Sequence, residues 1–101
     1  MNRKCEIYYL PSATNDLEEI IDYIKLDSPK SAVNMLNLID ETISKLGDFP
    51  EIGVVPKNRR LKKLGYRILI IGNYLAFYVI KDDMIEIRRV LHGNRNYKFL
   101  L

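Results

Sequence analysis

The feature that most restricts the fold is a change of hydrophobic period near the middle of the chain. Between residues 13 and 46 apolar side chains recur at three- and four-residue steps. From residue 66 to 91 they alternate with polar ones or run together in short blocks. A chain written first for helices and then for strands must bury a helical stripe against a sheet, which makes an α+β domain.

Taken in order, "KCEIYYL" (residues 4–10) places Cys5, Ile7 and Tyr9 on one face and Glu6, Tyr8 and Leu10 on the other, a strand pattern that Pro11 and Ser12 stop. Ala13, Leu17, Ile20, Ile21 and Ile24 then form one stripe of an amphipathic helix. Asp16, Glu18, Glu19 and Asp22 fall at its early and outer positions, where carboxylates also suit the helix dipole. In "DSPK" Ser28 can cap a second helix, with Pro29 at its first position, where a missing N–H costs nothing. Ala32, Val33, Leu36, Ile39, Ile43 and Leu46 carry that helix to Gly47, a candidate left-handed cap before "DFP". Two such helices so close in sequence predict a helical hairpin.

After the loop "EIGVVPKNRRLKK" come three strand-like runs, "GYRILII", "YLAFYVI" and "IEIRRVL". Gly72-Asn73 joins the first two as a tight type II′ turn would, and Asp82-Asp83 joins the second two. The N-terminal strand must pair with this meander to satisfy its backbone. The expected order is β-α-α-β-β-β: one domain over residues 1–101, with a helical hairpin packed on a small, mostly antiparallel sheet.

Composition narrows the function classes. One cysteine leaves no internal disulfide, and one histidine beside it gives a structural zinc site too few ligands. A lone thiol suits a reducing cytoplasm, and no apolar run approaches a bilayer span. Neither a GxGxxG nor a GxxxxGK[ST] loop occurs, and no metal or cofactor is expected. Charge is polarised along the chain. Residues 1–56 carry five Lys/Arg against ten Asp/Glu, whereas residues 57–101 carry eleven against three. That asymmetry points to a polyanionic or acidic partner.

Three places carry candidate chemistry. "KNRRLKK" gathers Lys57, Arg59, Arg60, Lys62 and Lys63, which either hold phosphates or form a solvated loop. In "IEIRRVLH", strict alternation puts Arg89 in the apolar phase with Ile85, Ile87 and Leu91, and Arg88 on the other face. An unpaired charge there is costly, so Arg89 either meets an acid of the helical hairpin or is aimed at an anion. The ending "RRVLHGNRNYKFLL" offers His92 for proton transfer, Arg95 for phosphate and Tyr97 for stacking or proton donation, the parts of a metal-free ribonuclease. Equally, His92 can be a hydrogen-bonding strand end, with Tyr97, Phe99, Leu100 and Leu101 covering the edge of the core.

These elements, with "DLEEIIDYI", "LGDFPEIG" and "RRVLHGNRNY" as the most specific pieces, resemble the RelE/ParE superfamily of bacterial type II toxins over nearly the whole chain. The resemblance implies a growth-arresting toxin silenced by a cognate antitoxin, with promoter DNA bound only through the antitoxin complex. ParE-like members poison DNA gyrase; RelE-like members cleave mRNA on the ribosome without metal. The long hairpin and the "VLHGNRNY" ending are nearer ParE. RelE-type enzymes tend to carry an arginine at the start of the second meander strand, where this chain has Asn73 and Tyr74 and keeps Arg67 one strand earlier. A RelE-like reading would make His92 or Tyr97 the proton-transfer group, with Arg67, Arg89 and Arg95 on the phosphate. Lys57, Arg59, Arg60, Lys62, Lys63 and Arg88 would contact nucleic acid or the target in either reading, and under the gyrase reading the C-terminal residues become contact residues instead. A non-toxic nucleic-acid- or protein-binding module is the remaining alternative.

Overall fold

The computed structural model describes residues 4–95, 97 and 101. Strand β1 (Glu6–Tyr9) leads into helix α1 (Pro11–Asp27) and helix α2 (Pro29–Ser44), which ends in a 3₁₀ turn over Lys45–Gly47. A short helix α3 (Arg59–Lys63) precedes strands β2 (Tyr66–Ile71), β3 (Tyr74–Lys81) and β4 (Met84–His92). The sheet order is β1-β4-β3-β2, antiparallel except for the parallel β1–β4 pair. The expected α+β architecture is the observed one, with helices packed on a four-stranded mixed sheet.

Pro11 does more than stop the strand: it is the first residue of α1, entered from an extended Leu10 with no side-chain cap. Ser28 alone separates the two long helices. It sits in extended backbone, and its hydroxyl accepts from the Ser31 N–H, as the sequence predicts. Gly47 is not the expected left-handed cap, because the positive-φ glycines are Gly65 and Gly72. It is buried in the 3₁₀ turn, where its carbonyl accepts the Cys5 N–H at 2.9 Å and ties the start of β1 to the end of α2. Gly72 does take the positive φ a II′ turn asks of its first central residue, and Asp82 does the same in the second hairpin.

Each face of the sheet has its own apolar cluster. Under α1 and α2, Ala13, Ile39, Ile43 and Leu46 meet Leu69, Ile71, Ala76, Tyr78, Ile85, Ile87 and Val90. On the opposite face Leu61 of α3 meets Tyr66, Ile68, Phe77, Val79 and Leu91, with Tyr97 and Leu101 packed beside them. The α3 segment had read as a loop. Asn58 caps it by accepting the Leu61 N–H, and Leu61 anchors it. Of the terminal residues expected to cover the core, Phe99 and Leu100 lie outside the described residues.

The period-two reading of β4 fails at one residue. Arg89 pairs with Phe77 while Ile87 pairs with Tyr78, which leaves Arg88 as the extra residue of a β-bulge. Beyond it the phase reverses. Val90 joins Ile85 and Ile87 under the helices, and Leu91, expected with them, belongs to the other cluster.

Candidate functional site

The bulge lies where β1 runs out. The last bond between those strands is the Leu10 N–H to the Ile87 carbonyl at 2.9 Å, after which the outer edge of β4 has no strand beside it. Helix α1 supplies the missing partners. The Ser12 hydroxyl donates to the Arg88 carbonyl at 2.7 Å, and the Asp16 carboxylate accepts the Val90 N–H at 3.0 Å. The same carboxylate takes two bonds from the Arg89 guanidinium, at 2.7 and 2.8 Å. Asp16 is therefore a buried residue rather than the outer-face acid its helical position implied. Its hydrogen bonds to Arg89 push the guanidinium pKa further up. Arg89 thus meets an acid of the helical hairpin, one of the two readings its position allowed.

This clamp fixes the angle between α1 and the end of β4, and a cleft of about 520 Å³ opens beside it. Asp16, Glu19, Ile20 and Tyr23 of α1 form one wall; Tyr74, Val90, Leu91, His92 and Arg95 form the other. Tyr74 and His92 are directly paired residues of β3 and β4, with rings edge to face at 5.3 Å and 81°. His92 Nδ1 accepts the Asn94 N–H at 3.2 Å, which leaves the neutral ring's proton on Nε2.

The remaining candidate residues lie elsewhere. Tyr97 stacks at a tilt on Phe77, 4.9 Å between centroids, on the sheet face opposite the hairpin. Arg67 donates to the carbonyls of Glu51 and Gly53. Beside it, the Tyr78 hydroxyl donates to the Pro50 carbonyl at 2.7 Å and accepts the Gly53 N–H at 2.9 Å. Arg67 and Tyr78 face one another across β2 and β3, so together they pin the "FPEIG" loop. Gly53 is required there, since a Cβ would land on the Tyr78 hydroxyl. Burial pushes the Tyr78 phenol up, keeping it protonated as a donor.

Arg88 lies over the Tyr66 ring at 5.4 Å and bonds Glu86 at 3.0 Å, and those bonds hold the Glu86 carboxyl below its ordinary range. Lys57, Arg59, Arg60, Lys62 and Lys63 are all exposed around α3. Arg60 also donates twice to the Leu101 main-chain oxygen, at 2.7 and 3.1 Å. Of the residues a nuclease reading would assemble, the structure brings only His92 and Arg95 into one cleft. Sequence reasoning offered Arg89 an acid of the hairpin without singling out Asp16, and gave the cleft's Tyr23 and Tyr74 no binding role. The "DLEEI" motif and an arginine in the apolar phase of "IEIRRVLH" are the clamp's traces in the sequence.

A protein-family model described as the ParE toxin of the type II toxin–antitoxin system parDE matches residues 7–97. The chain belongs to the ParE toxin family. No curated protein matches the toxin's sequence. Among solved structures, a chain of the chromosomal ParDE system from P. aeruginosa is similar at 22% identity and TM-score 0.73, covering 88% of this chain and 96% of that one. The RelBE2 toxin–antitoxin complex from Mycobacterium tuberculosis is similar at 19% identity and TM-score 0.60, over 88% and 98%. The RelB–RelE complex from Methanococcus jannaschii follows at 21% identity and TM-score 0.52, over 93% and 99%. At such identities the likeness establishes the toxin's fold. No helix among the described residues is long and apolar enough to cross a membrane.

Proposed function

We propose that this toxin arrests growth by inhibiting DNA gyrase in the cytoplasm, and that a cognate antitoxin encoded with it neutralises it. The observation that carries the gyrase reading is the dispersal of the acid–base and phosphate-binding candidates. His92 and Tyr97 sit on opposite sheet faces, Arg89 is held by Asp16, and Arg67 is held by loop carbonyls. Proton transfer needs donor and acceptor within hydrogen-bond reach of one reacting group. This arrangement is better suited to a docking surface than to cleavage of RNA. The match to a ParE family model supports the same reading.

The antitoxin half rests on family membership and on charge. Solved relatives include a ParDE system and RelBE complexes, and the exposed basic residues around α3 suit an acidic segment that orders on binding. In that scheme promoter DNA is met only through the antitoxin complex.

Purified toxin should inhibit supercoiling by gyrase while mRNA on translating ribosomes stays intact. Codon-phased mRNA cuts with undiminished supercoiling would replace the gyrase reading with a ribosome-dependent nuclease. Cells that keep growing after induction, without antitoxin, would return the chain to a plain binding module.

A further inference from the structure

The α1–β4 cleft holds chemistry beyond the Asp16 clamp that builds it. Asp16 is committed to Arg89 and to the Val90 N–H, so the cleft's available carboxylate is Glu19 and its available cation is Arg95. Both are exposed; among the described residues Glu19 takes a long 3.5 Å contact from Asn15 in its own helix and lies within electrostatic reach of Arg89, which keeps both carboxylate oxygens of Asp16 occupied. The same cleft is lined by three rings, Tyr23, Tyr74 and His92, with Tyr23 75% exposed although it borders a cleft. Exposure on that scale leaves a tyrosine's apolar faces in water unless something flat lies against them.

The three groups ask for different parts of one ligand. A carboxylate is an acceptor only, and it is best served by two adjacent N–H donors. Aromatic side chains take the face of a planar heterocycle. A guanidinium takes a phosphate, bidentately where geometry allows. Among the nucleobases only guanine presents two neighbouring donors, N1–H and the 2-amino group, on its pairing edge. Adenine and cytosine set an acceptor beside their amino group. A volume near 520 Å³ lies within the range of sites for small molecules and cofactors.

We infer that the cleft between α1 and the end of β4 binds a guanine nucleotide. The base edge lies on Glu19, its faces lie against Tyr23 and Tyr74, and the phosphate lies on Arg95. The clamp of Asp16 on Arg89 and Val90 holds the two walls at a set separation, so the site is formed before the ligand arrives. Free nucleotide and an unstacked guanine in a single strand share this chemistry. The inference stands apart from the gyrase reading, since binding is measured whether or not supercoiling is inhibited.

Calorimetric titration of the purified full-length chain with GMP, AMP and CMP tests it. GMP should bind about tenfold or more tighter than the other two, the lower part of what a bidentate base contact discriminates. Glu19→Gln replaces one acceptor with a donor and should cost GMP about tenfold for the same reason. Arg95→Ala should weaken GMP about tenfold, as loss of a charged contact does, while guanosine affinity is kept. Both side chains are exposed, so the thermal midpoint of either variant confirms an intact fold. A guanine-bearing oligonucleotide that binds tighter than GMP, and loses affinity with Glu19→Gln, identifies a strand as the source. Tighter binding of GMP identifies free nucleotide. Equal affinity for GMP and AMP, no binding of either guanine form, or indifference to Glu19→Gln overturns the site. So does a protein partner that buries Tyr23 while nucleotides leave it unperturbed.

Discussion

The two faces of the sheet are closed by unequal means. On one, two long helices cover a cluster that runs from Ala13 to Val90, and their attachment includes a buried ion pair. On the other, a five-residue helix, Tyr97 and Leu101 cover a smaller cluster around Phe77. The first face keeps one ion pair inward, Asp16 with Arg89, beneath helices whose outer sides carry exposed acids such as Glu18, Glu19 and Asp22. The second turns its charge outward, as the exposed cations around α3. One arrangement fixes geometry; the other leaves a surface free to meet something acidic.

If that contrast is right, the largest effect belongs to the clamp. Asp16→Ala takes the bidentate carboxylate from the partly buried Arg89 and leaves the buried Val90 N–H without this acceptor, and should cost about 3–5 kcal/mol in urea unfolding. A loss below roughly 1 kcal/mol would mean that the pair is no firmer than a surface salt bridge. Tyr78→Phe comes next. It removes the hydroxyl that serves both Pro50 and Gly53, leaves the buried Gly53 N–H without a partner, and should cost about 1–3 kcal/mol. Equal costs for Tyr78→Phe and Asp16→Ala would erase the ranking between loop tether and clamp.

The basic face should respond oppositely. Lys62→Glu and Lys63→Glu together leave Leu61 in place, so stability should move by no more than about 0.5 kcal/mol each. Association with an acidic antitoxin segment should instead slow and lose salt dependence, as rim charges act on encounter rate. Stopped-flow binding at two ionic strengths reads this directly. A loss of stability comparable to the Asp16 variant would show that α3 is a structural element and that the two faces do not differ in kind.

The same contrast explains what could be read from residues alone. The period of three and four in residues 13–46 and the period of two in 66–87 are local properties, as are Ser28-Pro29 and the Gly72 turn, and all of these agree with the structure. The parallel pairing of β1 with β4 is not local, since either edge of a meander can accept a strand. The bulge at Arg88 leaves no trace in "IEIRRVLH", because an extra residue is defined only by the partner strand. Asp16 looked like an outer-face acid because its partner lies 73 residues away. α3 escaped because four cations around one anchoring leucine show no amphipathic period. The cleft needed the clamp, and so was the least legible part. His92 and Arg95 drew attention by chemistry, while Tyr23 and Tyr74 read as ordinary helix and strand positions.

The smallest expected effect is a pH dependence that separates the helical face from the opposite one. Tyr9 packs beside the hairpin cluster, and burial, with a lesser push from the Asp40 carboxylate, raises its phenol from 10.0 to about 12. A raised pKa means that the folded state binds the proton more tightly than the unfolded one. Its contribution is therefore complete below pH 10 and is lost as pH rises towards 12. Glu86, on the other face, is shifted downward by Arg88, so its contribution is present at neutral pH and fades as the carboxylate protonates in acid. Tyr9→Phe should flatten the alkaline limb of a melting-temperature profile and leave the acid limb alone, while Glu86→Gln should do the reverse. Phe at position 9 keeps the packing, so any change in the acid limb of that variant would show that the two faces are coupled through the sheet rather than titrating independently.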